Sequence, residues 1–123
     1  MKLLCCGSRD WTDKSAIRAA ILDVVPDSCP AYEVTIVEGE AAGADRLSKE
    51  VGKELGITVK PYPAHWHELG LAAGPIRNQQ MLDENPDIDL VLAFDLGTSG
   101  TADMCRRARA KGLRVQVYRK EGE

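Results

Sequence analysis

Short apolar runs alternate along the chain with longer segments whose apolar residues recur at helical spacing. The runs predict buried strands, near residues 3–6, 34–38, 57–60, 89–94 and 113–118. Between the first two runs, Ile17, Ala20, Ile21 and Val24 form one apolar stripe, as in an amphipathic helix. Regular alternation of strand and helix predicts an α/β fold, a Rossmann-like open parallel sheet of about five strands with helices on both faces.

The helix predicted to begin near Pro75 and to run to about Glu84 differs from the others. Its apolar residues include Ile76 and Met81, but Arg77, Asn78, Gln79 and Gln80 dominate it. A helix this polar either faces water or lines a site. It follows a segment, residues 63–74, that we expect to be irregular.

The chain has 123 residues, which suits one domain, residues 1–123, with one core. The charged tail, residues 119–123, is expected to fray. No apolar run is long enough to cross a membrane, and the apolar run at the N-terminus is too short for a signal peptide. We therefore expect a cytoplasmic protein.

Charge and cysteine content narrow the function classes. The net charge of −3 argues against a dedicated duplex-DNA binder. A basic cluster at residues 106–114 leaves binding of single-stranded nucleic acid as an alternative, although a solvated helix face explains it more simply. Cysteines 5, 6, 29 and 105 form no metal-type spacing, so we interpret them as small buried thiols and expect no cofactor and no metal. A redox or metal site is the alternative interpretation.

Three glycine-bearing turns each follow a predicted strand. Glycine permits close approach of the backbone to a ligand, and amides at the start of the following helix favour an anion. The carboxyl ends of parallel strands share one edge of the sheet, where α/β proteins bind ligands. The candidate ligand-binding residues are Gly7, Ser8, Arg9, Gly39, Gly43, Ala44, Asp45, Trp66, Arg77, Asn78, Gly97, Thr98, Ser99, Gly100 and Thr101. The alternative is that the glycines only permit tight turns.

Individual members of this set have two interpretations each. Arg9 and Arg77 suit phosphate oxygens, or they are exposed charges. Trp66 stacks on a base, or it packs its segment onto the core. Asp45 contacts a ribose hydroxyl, or it favours the helix start electrostatically. His65 and His67 lack further ligands for a metal, and we interpret them as loop residues.

Five stretches, taken together, resemble a known family. They are Gly7-Ser8-Arg9 with Trp11, Glu38 to Asp45, Pro63-Ala64-His65-Trp66, Ala73 to Met81, and Gly97 to Thr101. In this order they are similar to the YspA-like, YpsA-related branch of the SLOG superfamily, common in bacteria and their phages. The resemblance implies a Rossmann-like domain that binds nucleotides or nucleotide-derived molecules, and a homodimer.

The same resemblance raises an enzymatic alternative. Lonely-guy phosphoribohydrolases, which are distant relatives, use an arginine that matches Arg77 and a glutamate whose position here is Met104. DNA-processing protein A is a further distant relative. A thioether cannot transfer a proton, so hydrolysis of an N-glycosidic bond by that mechanism is disfavoured. Arg77 is the catalytic candidate, with Asp45 or Glu38 as alternative sources of a carboxylate. The sequence therefore favours a nucleotide-binding module, a sensor or sequestering protein, over a nucleotide hydrolase.

Overall fold

A computed structural model describes residues 1–119; the predicted fraying of residues 120–123 lies outside the described residues. Strands and helices alternate as the apolar pattern predicts. The elements are β1 (Lys2–Gly7), α1 (Lys14–Val24), β2 (Thr35–Glu38), α2 (Ala44–Glu54), β3 (Thr58–Pro61), α3 (Trp66–Leu69), α4 (Ala73–Glu84), β4 (Leu90–Phe94), α5 (Ser99–Ala110) and β5 (Val115–Tyr118). Two single 3-10 turns, Ala31–Glu33 and Gly70–Ala72, complete the described chain.

The five strands form one parallel sheet in the order β3-β2-β1-β4-β5. This confirms the predicted Rossmann-like α/β fold. The strand order reverses between β1 and β4, where Gly7 pairs with Phe94. Ligands of such sheets bind beyond the carboxyl ends of the strands near this reversal. The turns after β1, β2 and β4 all lie at that edge.

Helices cover both faces of the sheet, as predicted. Successive residues of a strand point to opposite faces. Leu3 and Cys5 of β1 accordingly pack in a core with α1 and α2, whereas Leu4 and Cys6 pack in a second core with α4 and α5. The two cores explain why β1 and β4 are continuously apolar, since both of their faces are buried.

The polar helix and the segment before it differ from the prediction. The helix begins at Ala73, so Pro75 lies in its first turn, and the expected irregular segment contains α3 and a 3-10 turn. Gly70 has φ of +59°, which separates these two short elements. Met81 and Leu82 are buried on the inner face of α4, while Ile76 is exposed. The second half of α4 therefore packs against the sheet through Met81 and Leu82, and Ala73 and Gly74 are buried at its N-terminal end.

The cysteines are free thiols within the described chain, three of them buried and Cys29 partly buried. Burial raises the pKa of Cys5 to about 12. Among residues 1–119, no helix combines the length and apolar character that crossing a membrane requires.

Candidate functional site

Ser8 joins the turns that follow β1, β2 and β4. Its carbonyl oxygen accepts from Ala44 N at 3.2 Å, and its hydroxyl accepts from Leu96 N at 2.8 Å and lies 3.0 Å from Thr98 Oγ1. The side chain is almost fully buried. The three turns thus converge, but the polar groups of Ser8 are used to connect them, so the predicted ligand contact of Ser8 is not supported by its geometry.

Two predicted site glycines are explained by packing between these turns. A Cβ on Gly7 would overlap the carbonyl oxygen of Phe94 and lie 2.6 Å from Ala44 Cβ. Gly43 has φ of +78°, and a Cβ there would overlap the carbonyl oxygen of Arg9. Gly7, Gly43 and Ala44 consequently form the close contact between the first two turns, and no ligand is needed to explain them.

Two carboxylates accept hydrogen bonds from backbone amides in the turn between β2 and α2. Glu40 N donates to Glu38 Oε1 at 2.7 Å, and Ala41 N donates to Asp45 Oδ2 at 3.2 Å. The prediction that this turn forms a cradle of free amides is therefore wrong at these two positions. The physical reason is that Glu38 and Asp45 flank the turn in sequence and fold back over it, which satisfies its donors internally.

Both flanking acids are buried and titrate abnormally. Burial raises the pKa of Asp45 to about 6, although the nearby Arg77 charge and the amides of Ala41 and Gly39 oppose the increase. Burial, followed by interaction with the Glu40 side chain, raises the pKa of Glu38 to about 8. Glu38 Oε2 has no hydrogen-bond partner within the described chain. A protonated Glu38 at neutral pH is consistent with the complete burial of this acid.

Arg77, in α4, is anchored on one side only. Its Nη1 donates to the carbonyl oxygens of Gly39 and, at 3.5 Å, Tyr62, while its Nε donates to Asn78 Oδ1 at 3.0 Å. No hydrogen bond from Nη2 is seen among residues 1–119. Arg77 is therefore held in place while part of its guanidinium remains available to a ligand.

A cleft of about 410 Å³ lies beside this turn. It is lined by Arg9, Gly39, Glu40, Ala41, Ala42, Arg46, Pro63, Ala64, Trp66 and Arg77. We call it the arginine cleft, because three of its lining residues are arginines against a single acid. Sequence reasoning identified Arg9, Gly39, Trp66 and Arg77 but missed the others. Arg46 and Glu40 directly neighbour residues of the predicted set, and extending the motif by one position would have found them.

Trp66 and Arg9 form one wall of the arginine cleft. The Arg9 guanidinium lies over the indole, with 5.5 Å between Cζ and the ring centroid. The indole is 43% exposed, and its far edge lies 3.3 Å from the position of a Cβ on Gly74. Trp66 thus both packs onto α4 and presents aromatic surface to the cleft, which combines the two interpretations of this residue.

The turn from Gly97 to Thr101 does not line the arginine cleft. Thr98 Oγ1 lies 2.9 Å from Thr101 Oγ1, and Gly97 N donates to Asp95 Oδ1 at 2.8 Å. Asn78 is directed toward this turn, donating to Asp103 Oδ2 at 3.0 Å and to Gly100 O at 3.5 Å. The turn contacts the first loop through Ser8, so these predicted residues lie beside the cleft without forming it.

Met104 belongs to the core between α4, α5 and the sheet, where it is 1% exposed. The neighbouring Asp103 is bound by Arg107 at 2.9 Å and Arg106 at 2.7 Å. Partial burial opposes the change, but the hydrogen bonds from Asn78 and Arg107 lower the pKa of Asp103. Neither side chain provides a proton donor comparable to the glutamate of the lonely-guy enzymes.

A larger groove of about 730 Å³ lies between α1 and the end of β5. Three aspartates line it, at positions 10, 13 and 23, with Arg119 as the countercharge. Because phosphate is anionic, this groove is a poorer fit than the arginine cleft for a phosphorylated ligand.

Comparison with solved structures and curated sequences gives two findings. The fold is similar to that in the X-ray structure of DNA processing protein A (DprA) from Streptococcus pneumoniae, with a TM-score of 0.72 and 16% sequence identity. The match covers 94% of this chain and 49% of that one, so the chain spans about half the length of that protein. At this identity the similarity establishes the fold alone. A comparison with curated proteins found no match.

A family model provides stronger evidence than the structural neighbour. It describes the YspA, cpYpsA-related SLOG family and matches residues 1–68, which is more than half of the chain. The matched region contains the β1 loop, the turn between β2 and α2, and Trp66. The chain therefore belongs to the YspA, cpYpsA-related SLOG family.

Proposed function

We propose that the protein binds a nucleotide or a nucleotide-derived molecule in the arginine cleft. The observation that carries this proposal is the convergence of Arg9, Arg46 and Arg77 with the exposed indole of Trp66 on one cleft. Guanidinium groups match phosphate oxygens in geometry and charge. An aromatic face adds a surface on which a base can stack.

The three arginines have different tasks in this proposal. Arg77 is fixed by the backbone of the neighbouring turn and offers a preorganised donor. Arg46 donates from Nε to Glu40 O at 3.1 Å, which leaves its terminal nitrogens for a ligand. Arg9 forms no hydrogen bond or ion pair within residues 1–119 beyond its contact with Trp66. It can therefore turn toward a phosphate at low cost.

Two measurements test the proposal. Mass spectrometry of small molecules released from the purified protein identifies a bound metabolite. Calorimetry against nucleoside mono- and diphosphates, nucleotide sugars and ADP-ribose measures affinity. We expect binding that weakens with added salt, because arginine–phosphate contacts at an open cleft are screened. Absence of binding by every compound would contradict the proposal.

Hydrolysis of a nucleotide remains a weaker alternative. Arg77 lies in the arginine cleft, as a catalytic residue would, but the position of the lonely-guy enzymes' glutamate is occupied by the buried Met104. Incubation with nucleoside monophosphates, followed by chromatography for free base, decides between binding and cleavage. We expect no base release above the uncatalysed rate.

Nucleic-acid binding and self-association stay predictions. Arg106 and Arg107 of α5 are paired with Asp103, so they are less available to a nucleic-acid backbone than their number indicates.

Leu71 is 92% exposed and Ile76 is 49% exposed, and such apolar surface would suit the homodimer. Sedimentation analysis with and without Leu71→Ser tests the dimer.

A further inference from the structure

Glu40 is held in an unusual conformation at the arginine cleft. It is a non-glycine residue with φ of 61°, in the left-handed region. Backbone strain of this kind persists only where the surroundings enforce it, and it occurs preferentially at functional sites. Glu40 lines the cleft, and its side chain is 22% exposed, so a ligand can reach it.

Each polar part of Glu40 has a fixed partner. Its N–H donates to Glu38 Oε1 at 2.7 Å, and its carbonyl oxygen accepts from Arg46 Nε at 3.1 Å. Its carboxylate accepts from Lys49 Nζ at 2.7 Å. The carboxylate is therefore positioned before any ligand arrives, which reduces the entropic cost of a contact with it.

The carboxylate of Glu40 is ionised and retains acceptor capacity. The hydrogen bond from Lys49 lowers its pKa, and interaction with the Glu38 side chain lowers it further against a partial effect of burial. An ionised carboxylate accepts hydrogen bonds only, at about four lone-pair sites. Lys49 contacts Oε1, so further acceptor positions remain for a donor in the cleft.

A negative acceptor among three arginines repels phosphate but suits a hydroxyl donor. Nucleotides carry such donors on the ribose, and in related sheet architectures an acid located beyond a strand binds these hydroxyls. Asp45 was the expected ribose contact, but it is 5% exposed and its Oδ2 is occupied by Ala41 N. Glu40 is the acid that the cleft exposes.

We infer that Glu40 binds the ribose hydroxyls of the ligand, so that the arginine cleft takes ribonucleotides in preference to 2′-deoxyribonucleotides. This inference rests on the proposed nucleotide binding. The phosphate end of the ligand then lies toward the arginines, and the sugar lies over the turn between β2 and α2. A charged hydrogen bond of this kind is typically worth a factor of about 10 or more in affinity.

The test compares each ribonucleoside monophosphate with its 2′-deoxy counterpart by calorimetry. We expect the wild-type protein to bind the ribonucleotide about 10-fold more tightly, or better. In Glu40→Gln the preference should fall to less than about 3-fold, because a neutral amide accepts more weakly and competes as a donor. Glu50→Gln, an exposed acid of α2, is the matched control and should retain the preference.

The possible outcomes separate the two proposals. Equal affinity for both sugars overturns the ribose contact and leaves nucleotide binding intact, whereas absence of any binding overturns both. An unchanged preference in Glu40→Gln overturns the role of Glu40. Should circular dichroism show that this variant is unfolded, Lys49→Met keeps the acid and removes its tether. The preference should then drop about 3-fold, because the untethered carboxylate must be ordered when the ligand binds, and no drop overturns the inference.

Discussion

The guanidinium of Arg9 lies over the indole of Trp66, with 5.5 Å between Arg9 Cζ and the ring centroid. Arg9 comes from the turn after β1, whereas Trp66 begins α3, more than fifty residues later. The contact forms one wall of the arginine cleft without a hydrogen bond. A cation–π contact at an exposed site is weak, so the wall can rearrange when a ligand competes for either partner.

Removing the charge of Arg9 should weaken nucleotide binding. We expect Arg9→Gln to lower the affinity for a nucleoside monophosphate by about 10-fold, since a charge-assisted contact to phosphate is lost. Calorimetry at low salt measures the change. Arg114→Gln, an exposed arginine ahead of β5, is the matched control and should bind as the wild type does. An equal loss of affinity in both variants would show that binding depends on the net charge of the protein and not on the position of Arg9.

The contact between the first two turns can be tested at Gly43. We expect Gly43→Ala to destabilise the fold by more than the roughly 1–3 kcal/mol of strain that its backbone (φ +78°, ψ −127°) imposes on a side chain, because its Cβ also overlaps Arg9 O. Gly112→Ala is the matched control, as Gly112 has φ of +80° but open space around its Cβ position. Urea unfolding compares the two. Equal destabilisation of the two variants would mean that the contact between the first two turns adjusts to the added Cβ.

The buried acid Glu38 should make stability depend on pH. Its pKa is raised from 4.5 to about 8 in the folded protein, so the folded state binds the proton more tightly than the unfolded chain does. The stability that the protonated Glu38 contributes is fully present below its pKa in the unfolded chain. It is lost as the pH rises through about 8, its pKa in the folded protein. Glu38→Gln cannot ionise and keeps the acceptor for Glu40 N, so its stability should fall less with increasing pH.

Urea unfolding at about pH 5 and about pH 9 measures this difference. The free energy of unfolding of the wild type, relative to Glu38→Gln, should decrease by a few kcal/mol over that range. Glu50→Gln is exposed and should follow the wild-type profile. A constant difference between wild type and Glu38→Gln at both pH values would show that Glu38 is ionised throughout.

Restoring the glutamate of the lonely-guy enzymes should cost stability and give no activity. Met104 is 1% exposed in an apolar core, so Met104→Glu would bury an unpaired carboxylate at a cost on the order of 3–5 kcal/mol. Met104→Leu conserves volume and should cost less than about 1.5 kcal/mol. Thermal unfolding compares the variants. Release of free base by a folded Met104→Glu protein would instead indicate that position 104 can reach the cleft.

Much of the architecture follows from the apolar pattern. β1 and β4 are continuous apolar runs because helices cover both faces of each strand. Because the strands are parallel, the turns after β1, β2 and β4 lie at one edge of the sheet. The convergence of these turns could therefore be predicted, whereas their connection through Ser8 could not.

The details of the site depend on contacts that a linear pattern does not contain. Whether the amides of Glu40 and Ala41 are free depends on how Glu38 and Asp45 fold back, and burial of those acids is a three-dimensional property. The sequence motif therefore predicts the position of the turn correctly, but it wrongly predicts that these two amide donors are free. Arg46 shows the same limit, because its position in α2 does not by itself reveal that it lines the same cleft as Arg9 and Arg77.

The central claim is that the arginine cleft recognises a phosphorylated nucleotide, and the most direct test compares ribonucleoside monophosphates with the nucleosides that lack the phosphate. Calorimetry in low-salt buffer should show at least about 10-fold tighter binding of a monophosphate than of its nucleoside. This difference should decrease when Arg9 and Arg46 are both changed to glutamine, because only Arg77 then remains to contact the phosphate. Equal affinity of the wild type for the two compounds, or an undiminished phosphate preference in the double variant, would contradict the proposed binding.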